Sequence, residues 1–333
     1  MDIVAVDPEN DAAVAAWHAA WQRGLDAGRE FPSTWTAPEV RVWLRGDKPA
    51  RQWQAYAAVD GQRVVGGVLT VLPLLDNLKL LMFDLGVPPA ERRRGVGSAL
   101  YQRVVELARA EGRHSLLAEV IEPYLGMGSD AGTSFAEHRG FTCRSRDLHR
   151  VLALPLDLAF LDGLARDAAR HHGDYQLRTW SGSCPEDLLP EYVALRARMV
   201  TEAPLGDLDY EPEHWDPARM RADEARRAAQ GRATWVTVAV SRNGTLAGHT
   251  VIDVPEHEPG VLYQHDTLVL PEHRGHRLGV ALKVANLRAV QVVHPRRRLI
   301  HTWNAEDNNP MVAVNDAMGF RPVDRIGEWQ RDL

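Results

Sequence analysis

The chain of 333 residues is poor in cysteine, with only Cys143 and Cys184. Two are too few for a disulfide framework or a thiolate metal centre, so a reducing, cytoplasmic setting is expected. Long apolar runs are also lacking. The longest, Val64 to Leu75, is broken by Pro73 and falls short of the roughly 20 residues a membrane helix needs. The opening Met1-Asp-Ile-Val-Ala-Val-Asp-Pro has no basic segment ahead of an apolar core, which speaks against a signal peptide. There is no excess of positive charge either: 39 Lys and Arg stand against 45 Asp and Glu, for a net charge of −6. That balance argues against general nucleic-acid binding. Neither a Gly-x-Ser-x-Gly elbow nor His-Glu-x-x-His occurs, which removes two common hydrolytic layouts. The histidines are scattered, and His171-His172 and His273/His276 have no companions at ligand spacing; no metal is expected.

The apolar residues that are present, 45% of the chain, suffice for sizeable cores, and the length is about twice that of a usual domain. Chemistry concentrates in Phe83-Asp-Leu-Gly-Val-Pro-Pro-Ala-Glu-Arg-Arg-Arg-Gly-Val-Gly-Ser-Ala-Leu100, an apolar strand that runs through a basic, glycine-bearing turn into a helix. Such a turn aims the free N–H groups of a helix start at one point, which suits a phosphate. Gly95 and Gly97 leave the backbone approachable, Ser98 opens a helical run to Ala110, and Arg92, Arg93 and Arg94 add positive charge. The spacing Arg92-x-x-Gly95-x-Gly97 is neither a Walker A loop, which needs Gly-Lys-Ser/Thr, nor the dinucleotide fingerprint. From spacing alone the ligand is a phosphate, and a tight turn with a solvated basic face is the alternative.

These residues resemble the GNAT superfamily of acyl-coenzyme-A-dependent N-acetyltransferases, whose signature Arg/Gln-x-x-Gly-x-Gly/Ala is matched by Arg92, Gly95 and Gly97. The resemblance implies that the loop amides, Val96 included, hold the pyrophosphate of acetyl-CoA. It also implies that the backbone of the preceding strand, Leu85, Gly86 and Val87, pairs with the pantetheine arm.

The pattern recurs. Asp84-Leu-Gly-Val87 followed by Arg92 corresponds to Asp266-Thr-Leu-Val269 followed by Arg274, each 182 residues later, and the Gly-Phe pairs at 140 and 319 keep nearly that offset. Two copies of one α/β unit follow from this register. The expected fold is therefore α/β (α+β), with two tandem GNAT-like domains, each a mixed, mostly antiparallel sheet flanked by helices. The domains are placed at 1–154 and 175–333, with a linker helix over 155–174. Strands are expected at 2–7, 52–59, 63–72, 80–87, 115–121 and 148–154, then at 175–180, 234–240, 245–254, 261–270, 299–303 and 326–330. Asp60-Gly61 and Asn243-Gly244 mark hairpins.

In the second copy the loop reads Arg274-Gly275-His276-Arg277-Leu278-Gly279. Arg277 takes the first glycine position, so its side chain should either enter the pyrophosphate space or pair with it. Many family members carry an asparagine twelve residues before the phenylalanine of Gly-Phe; Asn308 matches in the second copy, against Ser129 in the first. On its loop, the first copy is the favoured coenzyme A site.

Acetyl transfer to an amine needs a base for the ammonium and an acid for the leaving thiolate. The candidates for base are Asp84, Glu119 and Asp266, with His265 beside Asp266; each carboxylate could equally be structural. Many family members have a tyrosine five residues before the Gly-Phe phenylalanine, where this chain has Ala136 and Asn315. Tyr124 or water would have to serve. The segment Glu202 to Asp216 holds six carboxylates and no Lys or Arg, and as a lip over the acceptor site it would favour a cationic amine. The expectation is an N-acetyltransferase acting on a small-molecule primary amine by direct attack. A catalytically inactive acyl-CoA-binding or sensor protein, and a protein-lysine acetyltransferase, remain open. Acceptor identity and oligomeric state are not legible.

Overall fold

A computed structural model describes residues 1–46, 49–122, 124, 131–202 and 206–333. By contacts the chain forms two compact units: Met1–Asp147 with Gly206–Glu211 and Val323–Leu333, and Leu148–Leu205 with Pro212–Pro322. This division differs from two consecutive halves. The first unit keeps the last strand of the chain, and residues 155–174 fall inside the second.

The first unit is built from β1 (Asp2–Ala5), α1 (Asp11–Leu25), α2 (Ala37–Arg45), β2 (Arg51–Asp60), β3 (Arg63–Pro73), β4 (Leu80–Gly86), α3 (Val96–Ala110), β5 (Ser115–Glu122), α4 (Ala131–His138), the start of β6 (Thr142–Ala153), and β12 (Arg321–Asp332) from Val323 on. Its strands run in the order β1-β2-β3-β4-β5-β12. All neighbours are antiparallel except β4 and β5, which are parallel. Asn10 caps α1 by accepting the Ala13 amide at 3.1 Å, and Thr36 with Glu39 forms a capping box on α2. Gly61, at φ 64°, supplies the left-handed turn residue that the β2–β3 hairpin requires.

Each face of this sheet carries its own core. Val14, Trp17 and Trp21 of α1 join Val40 and Trp43 of α2 on one side, while Leu100, Tyr101, Val104 and Ala108 of α3 join Phe83, Leu116, Phe141 and Trp329 on the other. Trp17 and Trp21 are fully buried, each contributing about 2–3 kcal/mol of apolar burial. Trp329 explains why β12 belongs here: alternation sends it into this core, where its Nε1 donates to Glu122 Oε1 at 3.1 Å.

The second unit contains the rest of β6, α5 (Leu158–Ala169), β7 (Tyr175–Ser181), α6 (Leu189–Ala197), α7 (Met199–Glu202), α8 (Pro217–Ala229), β8 (Arg232–Ser241), β9 (Leu246–Pro255), β10 (Val261–Val269), α9 (Leu278–Val293), β11 (Leu299–Ala305) and α10 (Asn309–Met318). Its order is β6-β11-β10-β9-β8-β7, with β10 and β11 parallel and β7 to β10 antiparallel. One core lies under α6 and α8 and another under α5 and α9. The segment expected as a linker thus supplies Leu161, fully buried against Leu287 and Val290 of α9.

Among the described residues no helix is long and apolar enough to cross a membrane. The expected elements are present, with different limits in places. β6 and β12 each extend to 12 residues, longer than expected, and α4 begins at Ala131.

Candidate active site

In the first unit β4 leads through a 3-10 turn at Pro89–Glu91 into α3. The first bond of that helix is from the Ala99 N–H to the Gly95 carbonyl, at 3.0 Å, so the amides of Val96, Gly97 and Ser98 point out of the helix end. Gly95 sits at φ 86°, with nothing within 4 Å of where a Cβ would be, and this left-handed conformation is what lets the chain turn sharply into the helix. Gly97 has a different reason to be small, since a Cβ there would lie 3.4 Å from the Phe135 ring.

The three arginines have separate tasks. Arg92 turns inward, donating from Nε to the Val87 carbonyl at 3.0 Å and from Nη2 to the Gly24 carbonyl at 3.3 Å, which braces the loop against α1 and the end of β4. Arg94 is tied to Glu91 and, at 3.2 Å, to Asp60. Arg93 is exposed. A cation that the sequence did not suggest lies close by: Arg139, just beyond α4, donates to the Ser98 hydroxyl while its guanidinium covers the Tyr101 and Phe135 rings at 5.2 Å.

The strand before the loop leaves its neighbour part-way along. β4 and β5 pair from Leu80–Ser115 to Met82–Leu117, but β4 runs on to Gly86 and β5 to Glu122. Beyond Met82 the β5-facing backbone edge of β4 has no strand partner among the described residues, although its other edge stays bonded to β3 through Leu85 and Gly86. That unpaired stretch of backbone runs past Leu85 toward the loop. Helix α1 holds this strand from behind: Trp21 Nε1 donates to the Asp84 carbonyl at 3.0 Å, and a Cβ on Gly86 would stand 2.1 Å from the Trp21 carbonyl oxygen.

Two residues past the last β4–β5 pair, Asp84 and Glu119 flank the parting. Burial pushes Asp84 up to about 6. Burial, and then the charges of Asp84 and Asp147, push Glu119 up to about 7 against the opposing effect of Arg29. The Glu119 side chain is exposed in this position, so solvent screens part of that upward push. Glu328 of β12, opposite Glu119 in register, is raised well above the ordinary carboxylate range by burial and then by Glu119, Asp147 and Asp84. Sequence reasoning missed Glu328 because it lies 209 residues from Glu119.

The second unit repeats the backbone and alters the chemistry. Adding 182 takes Arg93 and Gly95 to Gly275 and Arg277, and all four are left-handed, at φ 61°, 86°, 86° and 54°. Glycine and arginine have exchanged places while the loop has kept its shape. Arg274 donates from Nε to the Val269 carbonyl at 3.2 Å, as Arg92 does to Val87. The first α9 bond runs from the Ala281 N–H to the Arg277 carbonyl, which leaves the Leu278 and Gly279 amides open. His276 instead lies with its Nδ1 3.1 Å from the His171 carbonyl. Asn308 caps α10, its side chain accepting the Met311 amide at 3.2 Å; Ser129 lies outside the described residues.

At the parting of β10 and β11, after Gln264–Thr302, Asp266 is bonded to Arg196. Burial alone would raise its pKa, but Arg196, with His249, His265 and Arg227, outweighs burial and holds it below the usual range. His265 Nε2 lies 3.1 Å from Asp253 Oδ2, and Asp253 is also held by Arg227 at 2.8 Å and Thr234 at 2.7 Å. The position matching Glu119 is Asn304, joined at 2.9 Å to Asn315, which accepts from Lys283 at 2.7 Å. Asn315 and Ala136, at the family's tyrosine position, are both buried. The guanidinium of Arg325 covers the Tyr124 ring at 5.6 Å.

The acidic segment 202–216 is not a row of free carboxylates. Lys79 is bonded to Asp209, Glu211 accepts the Asn77 amide at 2.8 Å, Glu213 accepts from Trp215 at 3.1 Å, and Asp216 caps α8.

Comparison with known proteins agrees with this geometry. A family model described as "Acetyltransferase (GNAT) family" matches residues 22–128 and 202–320. Among solved structures, a tandem GNAT protein from the clavulanic acid biosynthesis pathway shares 30% identity, with a TM-score of 0.80 over 99% of this chain and 98% of that one. A GCN5-related N-acetyltransferase from Sphaerobacter thermophilus superposes with a TM-score of 0.66 at 16% identity, covering 99% and 95%. A putative acetyltransferase from Pyrococcus horikoshii does so at 0.55 and 12%, covering 100% and 89%. The last two show the fold alone. No curated protein sequence matches the chain.

Proposed function

The chain belongs to the acetyltransferase (GNAT) family, and from that premise we propose that its first unit transfers an acetyl group from acetyl-CoA to a primary amine of a small molecule. The observation that carries the reading is the pair Asp84 and Glu119 at the parting of β4 and β5, with pKa values pushed up to about 6 and about 7. A base with a pKa near the working pH is ionised often enough to accept a proton and basic enough to hold it. Acetyl-CoA supplies the activated acyl thioester. The amides of Val96, Gly97 and Ser98, with Arg93 and Arg139 nearby, are the groups to hold its phosphates, and the free edge of β4 beyond Met82 is the one to align its arm.

The acceptor enters as an ammonium ion and gives one proton to Glu119 or Asp84, directly or through a water. The freed nitrogen lone pair forms the C–N bond as the C–S bond breaks. As the amide forms, the nitrogen loses its second proton to water, and the leaving thiolate takes a proton from water, since Ala136 offers no phenol. No covalent bond to the protein is needed. Holding the amine against the thioester accounts for much of the acceleration.

The second unit supports another role. Its loop keeps the phosphate-binding backbone, but Asp266 is held ionised by Arg196 and is a poor base at neutral pH. We assign it acyl-CoA binding without transfer. The test is thiol release from acetyl-CoA across a panel of amines, with wild type, Asp84→Asn, Glu119→Gln and Asp266→Asn. Loss of release in either of the first two but not in the third is expected. Release that survives both first-unit substitutions and is lost in Asp266→Asn would reverse the assignment.

A further inference from the structure

Between α5, β7 and α9 the second unit holds a groove of about 500 Å³. Ala165 and Ala169 of α5 and Ala281 and Ala285 of α9 line it with side chains too small to fill it, and Leu177 of β7 and Val284 of α9 add apolar surface. The volume lies within the range of small-molecule sites, which are mostly apolar with a few polar groups that fix orientation. None of these residues belongs to the phosphate loop or to the parting of β10 and β11.

The repeat shows that this lining is particular to the second unit. Adding 182 takes Ala99, Gln102, Arg103 and Glu106 of α3 to Ala281, Val284, Ala285 and Arg288 of α9. Those four residues of α3 line a groove of about 380 Å³ against β1 and β2, so the same place is hollow in both units. In the first unit its charges answer one another: Arg103 covers the Tyr56 ring at 4.7 Å and lies 3.7 Å from Glu106. In the second, valine and alanine replace the glutamine and the arginine, and the acid becomes Arg288. One hollow is polar and self-paired; the other is apolar and basic.

The charge selects the ligand. His172 and Arg288 line the second-unit groove, and among the described residues no carboxylate does. Arg288 Nη1 lies 2.7 Å from Asp162 Oδ1, with the two side chains 48% and 39% exposed; an ion pair that open to solvent is weak. A guanidinium has five N–H donors, which leaves several for a second carboxylate. From Arg288 back to Ala281 the helix spans about 10 Å, the reach of about eight to ten extended carbons at about 1.2 Å per bond. We propose that this groove binds a medium-chain fatty carboxylate, its head on Arg288 and its chain along Val284, Ala285 and Leu177 toward Ala281.

The experiment titrates the full chain, free of coenzyme A, with hexanoate, octanoate and decanoate in a calorimeter. Affinity should rise about fourfold for each added methylene, the value of burying one in an apolar site. Ala285→Phe, which fills the groove, should weaken decanoate at least about tenfold on the same scale. Arg288→Gln should weaken decanoate about tenfold, the equivalent of one charge-assisted contact, and change decanol less than about threefold. Arg288 is exposed, so this second variant serves if the phenylalanine variant does not fold. No decanoate bound by wild type, or an affinity that does not depend on chain length, would overturn the assignment. So would decanoate that binds both folded variants as well as wild type, which would put it elsewhere on the chain. Sedimentation of the same proteins covers the other occupant: a wild-type dimer that Ala285→Phe breaks, with no decanoate bound, would give the groove to a second copy and refute the proposal.

Discussion

Lys283 allows a quantitative test of how the second unit is held together. Its side chain is 1% exposed, and its only described hydrogen bond is from Nζ to Asn315 Oδ1 at 2.7 Å. Burial, with a smaller push from Arg150, lowers its pKa from 10.5 to about 7. In the unfolded chain the amine is protonated up to about pH 10.5, and in the folded chain only up to about 7. Between those values the unfolded state binds more protons, so stability should rise with pH across the window and level off above it. A difference of 3.5 units at 1.36 kcal/mol each sets an upper limit of about 5 kcal/mol on the cost of burying this amine near neutrality. Lys283→Met removes that cost, keeps the length of the chain, and leaves Asn315 Oδ1 without its donor, which costs about 1–3 kcal/mol. The net expectation at pH 7 is a gain of about 2 kcal/mol, or roughly 4–8 °C in the melting temperature of a unit this size. The gain should shrink toward zero, and then reverse, as pH approaches 10.5. Thermal melts of both proteins at pH 7, 8.5 and 10 read it directly. A variant that melts lower than wild type at pH 7, with the same pH slope, would refute the argument, because Lys283 would then be held as a well-solvated charge.

Other expectations concern the first unit. Thiol release should rise with pH as Asp84 and Glu119 ionise and reach a plateau above about pH 7; Asp84→Asn should shift that limb as well as lower the rate, by about 10²–10⁴-fold if it acts as the base, and an unshifted profile would remove it from that role. The same carboxylates carry pKa values raised by burial, so the folded state holds more protons than the unfolded one between about pH 4 and 7. Their contribution, felt also through Glu328, Asp147 and Arg29, is therefore fully present below pH 4 and lost as pH rises through 7, and Glu119→Gln should flatten the melting temperature over that interval. Gly95→Val should weaken coenzyme A binding in calorimetry by disfavouring the left-handed turn, at about 1–2 kcal/mol, or roughly tenfold. Arg277→Gly, which restores glycine at an already left-handed position, should leave transfer unchanged; a large loss would place chemistry in the second unit.

Much of this was readable in the sequence, for local reasons. The repeat at 182 residues, the hairpins at Asp60-Gly61 and Asn243-Gly244, and the helix after Gly95 all rest on turn chemistry and periodicity within short windows. What was not legible depends on distant partners. β12 was expected beside its own copy, but the Trp329 side chain is buried with Phe83 and Leu116, and nothing near Trp329 in sequence announces that. Glu328 comes to lie opposite Glu119 by the same long-range pairing. The Arg277 loop read as altered because sequence shows which residue occupies a position and not its φ. Asp84 and Asp266 look alike in sequence, and they differ because Arg196 reaches only the second. The acidic lip dissolved into Lys79, Asn77 and Trp215 contacts for the same reason: partners decide whether a carboxylate is available.

The central claim is that the first unit performs the transfer, and a crystal structure of the full chain with coenzyme A bound tests it most directly. The account predicts the pyrophosphate against the Val96, Gly97 and Ser98 amides and the sulfur at the parting of β4 and β5, within reach of Asp84 or Glu119. Coenzyme A found only against residues 274–279, with its sulfur beside Asp266, would contradict it.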